Sequence, residues 1–222
     1  MPAKLKLPIR VRAVILDWDG TLLDSYRADV RAYQFMFRAL RIKFSSRDLA
    51  RHYSPDWYRV YRAAKIPRSQ WQLADELWAQ GYQRENPRLL PSARALLKRL
   101  NSAYLLALVT SGDRARVHGQ LKKFDFLKLF RVCICSEDAE RRKPHPAPLL
   151  KAMQCLSMQP ADCVYVGDTP EDIEMARRAR VRSIGVTGPF PSSARLAAAH
   201  PYALIHSISE LPKVVAPVEV PD

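Results

Sequence analysis

The chain of 222 residues contains no run of 18 or more apolar residues, so no segment is long and apolar enough to span a bilayer as a helix. Its basic start, Met1 to Arg10, has no apolar stretch followed by a small-residue cleavage site. No secretory signal is therefore expected, and a reducing cytoplasm is the expected setting. Cysteine is scarce: Cys133, Cys135, Cys155 and Cys163 show no metal-ligand spacing. Cys133-Ile134-Cys135 instead reads as two free thiols in an apolar strand. His118, His145 and His200 are scattered, and no pair has ligand spacing. The formal charge of +14 favours acidic partners in general. Its basic residues are spread along the chain, however, and no zinc-finger, helix-turn-helix or RNP signature accompanies them. Nothing beyond charge points to nucleic acid or to a membrane surface. Internal repeats and low-complexity tracts are absent too.

What the chain does have is apolar content. At 48% hydrophobic it can build a substantial core. Val11 to Trp18 reads as a buried strand, and similar runs recur at Tyr104–Thr110, Val132–Cys135, Cys163–Val166, Ser183–Val186 and Ala203–Ile205. Helical patterns separate them: Ala93, Leu96, Leu97 and Leu100 share a face, and another helix is predicted over Pro170 to Arg178. Buried strands alternating with helices predict an α/β fold with a doubly wound parallel sheet. The rhythm breaks between Asp24 and Pro91, where no strand is predicted. There Val30, Tyr33, Phe37 and Leu40 repeat at helical spacing, as do Trp57, Val60, Tyr61 and Ala64, and then Trp71, Trp78 and Tyr82. This stretch is too long for a crossover. The expected organisation is a core of residues 1–23 and 89–222 carrying a helical cap, 24–88, hinged at Leu23–Ser25 and Asn86–Pro91. The aromatics of that cap are expected to form its own core. The Pro-rich tail, Ala216 to Asp222, is expected to be loose.

Ligands of open α/β sheets bind at the carboxyl ends of the strands. The first strand ends in Asp17-Trp18-Asp19-Gly20-Thr21-Leu22 and the second in Thr110-Ser111-Gly112. Arg142-Lys143-Pro144 follows the third, and the fourth ends in Gly167-Asp168-Thr169-Pro170-Glu171-Asp172. Each type of residue has a task in phosphoryl transfer. A carboxylate, Asp17, can attack phosphorus to give an aspartyl-phosphate that water hydrolyses. Its repulsion from a phosphate dianion calls for a cation. Mg²⁺ held by Asp17, Asp168 and the Asp19 carbonyl, all hard oxygens, would meet that need. Lys143 adds positive charge, and Thr110 and Ser111 offer donors to the phosphoryl oxygens. Asp19 is placed to protonate the leaving oxygen and then to deprotonate water. Gly20 lets the chain turn so that amides face the phosphate.

These residues resemble the signature of the haloacid dehalogenase superfamily: Asp-x-Asp-Gly-Thr-Leu, Thr110 after strand two, Lys-Pro-x-Pro at 143–146 and Gly-Asp-Thr-x-x-Asp at 167–172. The helical insertion resembles the C1-type cap of its phosphoglycolate phosphatase-like branch. The resemblance implies a Rossmann-like core, a Mg²⁺-dependent phosphatase working on a small anionic phosphorylated substrate, and a monomer or homodimer. It also implies that Asp172 supports the metal site from behind the ligands. Asp19 disfavours the dehalogenase branch, which lacks a second aspartate. Phosphosugar mutase, nucleotidase and pyrophosphatase activity remain open on this scaffold, as does a non-catalytic basic binding protein. The chain departs from the family pattern at a few points. Trp18 is expected to reshape the mouth of the site, Ser92 and Arg180 stand at frequent glycine positions, and Ser111 replaces a common asparagine. Between Asp24 and Arg88 the chain has 13 Lys/Arg against 7 Asp/Glu. Arg27, Arg31, Arg59 and Arg62 are thus candidates for holding a second anionic group. Glu171 and Asp24 are expected to be a solvated helix-start acid and a hinge residue.

Overall fold

The structure is a computed structural model that describes residues 8–218. Along the chain run β1 (Ile9–Val11), β2 (Ala13–Leu16), β3 (Leu23–Asp24), α1 (Tyr26–Ala39), α2 (Ser46–His52), α3 (Tyr58–Ala63), α4 (Trp71–Gln83) and β4 (Arg88–Leu89). There follow α5 (Ala93–Asn101), β5 (Leu105–Val109), α6 (Arg114–Lys123), β6 (Val132–Ile134), α7 (Ala147–Leu156), β7 (Cys163–Gly167), α8 (Pro170–Arg178), β8 (Arg182–Val186), β9 (Ala203–Ile205) and β10 (Val215–Pro217).

Six strands form one sheet in the order β6-β5-β2-β7-β8-β9, and every pairing in it is parallel. The side-chain period of two divides the central strands between two cores. Val14, Leu16, Leu106, Leu108, Val164 and Val166 face one side with Leu97 of α5 and Val117 of α6. Ala13, Ile15, Ala107, Val109, Cys163 and Tyr165 face the other with Leu149 of α7 and Met175 of α8. A strand covered on both faces has no solvent side, which is why β2 reads as unbroken Ala-Val-Ile-Leu. Each buried aliphatic side chain contributes roughly 1.5–3 kcal/mol. The chain builds β2, β5 and β6 outward in one direction, then returns to start β7 on the other side of β2. That reversal opens a crevice above the carboxyl ends of β2, β5 and β7.

Three expectations are corrected here. The run Val11 to Trp18 is not one strand. Val11 ends β1, which pairs with β10 in a separate two-stranded sheet, and Asp17 lies beyond the end of β2. The tail expected to be loose supplies β10 at its start, because Ala216 and Pro217 pair with Arg10 and Val11. Residues 219–222, like the start of the basic segment at 1–7, lie outside the described residues. Finally, the stretch from Asp24 to Pro91 does contain strand. Leu23–Asp24 pairs antiparallel with Arg88–Leu89, because the outgoing and returning chains run side by side in opposite directions.

Between those two short strands the chain is helical. Helices α1 and α4 pack most extensively, and they approach closely because Gly81 sits at the contact, where a Cβ would lie 3.0 Å from Ala32 Cα. Tyr33, Met36, Phe37, Val60 and Tyr61 form the core of this helical segment. No helix among the described residues is long and apolar enough to cross a membrane.

Candidate active site

The site is assembled from chain segments that leave the sheet at its carboxyl edge. The Asp17 amide donates to Val166 O at 2.9 Å, which fixes the start of the loop against β7. The loop then turns at Gly20 with φ +81, and a Cβ there would stand 2.3 Å from Asp168 Oδ2. Glycine is therefore required twice, for the left-handed backbone and for the space. Thr21 Oγ1 donates to Asp168 Oδ1 at 3.3 Å. On the β7 side, Thr169 caps α8, accepting from the Asp172 amide while the Asp172 carboxylate accepts from the Thr169 amide. This reciprocal capping orients Asp172 back toward the strand ends.

Lys143 lies at the centre. Its Nζ donates to Asp17 Oδ1 at 2.7 Å and to Tyr165 Oη at 2.8 Å, and it stands 2.8 Å from Asp172 Oδ1. Three donors thus meet three acceptors in a site where Lys143 is 3% exposed and Asp17 6%. Tyr165 Oη lies 2.9 Å from Asp172 Oδ1, and Asp172 Oδ2 accepts from Thr169 Oγ1 at 2.7 Å. Both Asp172 oxygens are therefore engaged, and its place is behind the site, holding Lys143.

Burial dominates the electrostatics. It pushes the Asp17 carboxyl up to about 7, against the opposing pull of Lys143 and with further upward push from Asp172 and Asp19. Asp168 is raised well above the carboxylate range, first by burial and then by the charges of Asp17 and Asp172. Lys143 is raised because the neighbouring carboxylates outweigh its own desolvation. One ammonium among three buried carboxylates leaves the cluster short of positive charge. Oxygens of Asp17, Asp168 and Asp172 lie within 4.8 Å of one another. Asp168 Oδ2 is buried with no hydrogen-bond partner among the described residues. An unpartnered buried carboxylate oxygen in an all-oxygen donor set fits a hard divalent cation.

Asp19 faces the other way. Arg116 grips it with two hydrogen bonds, Nη1 to Oδ1 at 3.1 Å and Nη2 to Oδ2 at 2.8 Å. Burial would raise the Asp19 carboxyl, but the charge and hydrogen bonds of Arg116, helped by Ser25 and Lys143, hold it below its usual range. Thr110 is buried, and its Oγ1 accepts from the Gly112 amide at 3.0 Å, which leaves its proton free to donate. Ser111 Oγ is buried without a partner among the described residues. Asp17, Asp19, Thr110, Ser111 and Lys143 all line one cavity of about 550 Å³ between the sheet edge and the helical segment.

The other walls of that cavity were not foreseen. Arg27, Arg31, Arg59 and Arg62 are all exposed. Arg31, Arg59 and Arg62 pair with Glu85, Glu171 and Asp56 respectively, and none of the four lines the cavity. The arginines that do are Arg116 and Arg142, from the core. Arg142 stacks over Trp57 at 3.7 Å and Arg116 over Tyr82 at 4.9 Å. Helical periodicity says which side chains share a face, but not which face meets another domain. Several aromatics of the helical segment line the cavity as well as packing in their own core, among them Tyr33, Tyr61 and Trp78. Trp18 does not reach the mouth of the site. It is fully buried, packed among Leu22, Leu97 and Phe126, with its Nε1 donating to Gln120. Glu171 is buried rather than solvated, accepting from Ser54 and Arg59. Asp24 is exposed in β3 opposite Arg88. Ser92 and Arg180 adopt φ 68 and φ 60, the left-handed backbone for which glycine is common. The structure also groups His118 with Cys133 and Cys135, although their spacing in sequence shows no such set.

Residues 14–186 match the model of the haloacid dehalogenase-like hydrolase family. A phosphoglycolate phosphatase of Salmonella choleraesuis is 28% identical, covering 90% of this chain and 91% of its own. The pyrophosphatase PpaX of Oceanobacillus iheyensis is 25% identical, covering 92% and 97%. Among solved structures, a haloacid dehalogenase-like family hydrolase from Streptococcus pneumoniae superposes with a TM-score of 0.80 at 22% identity, covering 91% of this chain and 97% of its own. The chain belongs to the haloacid dehalogenase-like hydrolase family.

Proposed function

We propose that the chain is a Mg²⁺-dependent phosphomonoesterase that transfers a phosphoryl group to Asp17 and then to water. The observation that carries this reading is the buried cluster of Asp17, Lys143, Asp168 and Asp172, in which Asp168 Oδ2 has no protein partner among the described residues. Asp17, Asp168 and the Asp19 carbonyl would hold the metal. Bound there, it supplies positive charge against the phosphoryl oxygens and lets Asp17 ionise. Lys143 keeps the nucleophile oriented and offsets charge on the transferring group.

In the first half-reaction an Asp17 oxygen bonds to phosphorus as the bond to the leaving oxygen breaks, and Asp19 gives that oxygen its proton. In the second half-reaction Asp19 takes a proton from water, which attacks phosphorus and releases phosphate from Asp17. Thr110, Ser111 and the amides after Gly20 donate to the phosphoryl oxygens. Asp172 acts on this chemistry by holding Lys143 and by its charge beside Asp17 and Asp168. Residues 24–88 serve as a cap that closes over the core, 1–23 and 89–222, and excludes water during transfer.

The substrate is a small phosphorylated metabolite. A cavity of about 550 Å³ is of ligand-pocket size, and Arg116 and Arg142 supply cations for a second anionic group. The names of the relatives favour phosphoglycolate within this class, with the phosphoanhydride pyrophosphate as the alternative. Hydrolysis of p-nitrophenyl phosphate with Mg²⁺, abolished by EDTA and restored by added Mg²⁺, tests the activity. A panel of phosphorylated metabolites ranked by kcat/KM tests the class. Absence of turnover on the whole panel, with folded metal-loaded protein, would overturn the reading.

A further inference from the structure

Away from the carboxylate cluster, His118 of α6 and Cys133 and Cys135 of the edge strand β6 and the residue after it bring their ligand atoms within 4.8 Å of one another. The strand period explains the two thiols. Cys133 and Cys135 face the side of the sheet that α6 covers, with Val117 and Leu121, while Ile134 between them faces the opposite core. Their sulfurs stand 3.8 Å apart. Two thiolates about 2.3 Å from a tetrahedral zinc ion are held roughly 3.8 Å apart by geometry alone. His118 contributes an independent observation: its Nε2 is buried and has no hydrogen-bond partner among the described residues. The frame around these side chains is fixed. The Cys135 amide donates to Asp138 Oδ2 at 2.8 Å, and Asp138 is ion-paired with Arg114 at the start of α6.

We infer that His118, Cys133 and Cys135 form a second metal site, for a thiophilic d¹⁰ cation such as Zn²⁺, with a water molecule as its fourth ligand. One nitrogen and two sulfurs are the wrong donors for Mg²⁺ and the right ones for Zn²⁺, so the two sites on this chain select different metals. Binding deprotonates both thiols and releases their protons to solvent. The ion ties α6 to the edge strand. Since α6 carries Arg116, which grips Asp19, and the turn after Cys135 carries Ser136 and Glu137 to the cavity wall, the ion clamps one side of the cavity. The inference does not depend on the phosphatase reading.

The test uses the full chain, reduced, with Mg²⁺ present to occupy the carboxylate site. Titration with Co²⁺ should give one equivalent showing a thiolate-to-cobalt charge-transfer band and intense tetrahedral visible bands, both removed by Zn²⁺. Cys133→Ser should abolish the charge-transfer signal, and His118→Gln should weaken it. Independently of any variant, Zn²⁺ should slow alkylation of Cys133 in the wild-type protein, located by peptide mass spectrometry. Absence of the charge-transfer band, its survival in folded Cys133→Ser, or unchanged Cys133 alkylation would overturn the proposal.

Discussion

Asp17 is placed for chemistry at a cost to the fold, and replacing it with asparagine separates the two. The amide matches the carboxylate in shape and still offers an oxygen to Lys143, but it neither ionises nor attacks phosphorus. Burial raises the Asp17 carboxyl from 3.8 to about 7. A raised value means that the neutral form is the one the fold prefers. The associated stability is fully present below pH 3.8 and is lost as pH rises through about 7. The interval between 3.8 and about 7, at about 1.4 kcal/mol per pH unit, comes to about 4 kcal/mol. In metal-free protein Asp17→Asn escapes that loss. Its stability should match the wild type near pH 4, and should exceed it by up to about 4 kcal/mol at pH 8. Added Mg²⁺ should shrink or reverse the gap, because only the wild type offers Asp17 to the ion. Urea unfolding in EDTA at the two pH values, repeated at pH 8 with Mg²⁺, measures all three quantities, and p-nitrophenyl phosphate turnover should fall to background. A variant no more stable than wild type at pH 8, or a gap independent of pH, would refute the electrostatic reasoning. An active variant would refute the nucleophile.

Two further outcomes follow from the same geometry. Gly20→Ala places a Cβ against Asp168 Oδ2 in a left-handed backbone. It should cost about 1–2 kcal/mol of stability from the backbone alone and raise the Mg²⁺ concentration needed for half-maximal activity; an unchanged Mg²⁺ requirement would show that Asp168 does not hold the ion. Arg116→Met removes the charge that holds Asp19 low. More Asp19 should then carry its proton near neutrality, moving the alkaline limb of the kcat profile to higher pH; a limb that stays in place would show that Arg116 does not tune the general acid.

Much of this molecule was legible in the order of its residues, for identifiable reasons. Buried parallel strands must be apolar on both faces, so β2, β5, β7 and β8 announce themselves as short aliphatic runs. Phosphoryl transfer needs particular donors at strand ends, so Asp17, Thr110, Lys143 and Asp168 stand out once the strands are found. Gly20 was legible as the residue of a sharp turn, and the structure adds its close approach to Asp168. Local patterning also located the helical insertion and the helix that became α8.

Tertiary structure decided what depends on elements meeting across long stretches of chain. Arg116 is an unremarkable arginine in a basic helix until α6 packs beside the first loop, 97 positions away in sequence, and puts it on Asp19. The basic faces of the insertion suggested substrate-binding arginines, yet those are exposed and none lines the cavity, because an amphipathic pattern fixes which residues share a face and not what that face meets. The pairing of β1 with β10 joins the two ends of the described chain, and no local signal could register it. His118 and the two thiols are likewise separate in sequence and together in space. By itself, then, the sequence determined the sheet and placed the candidate carboxylates at its strand ends, since each is set by the residue's own backbone or strand. The fold decided which charges face one another, and with them the protonation of Asp17 and Asp19, because charge interactions depend on distance through space rather than along the chain.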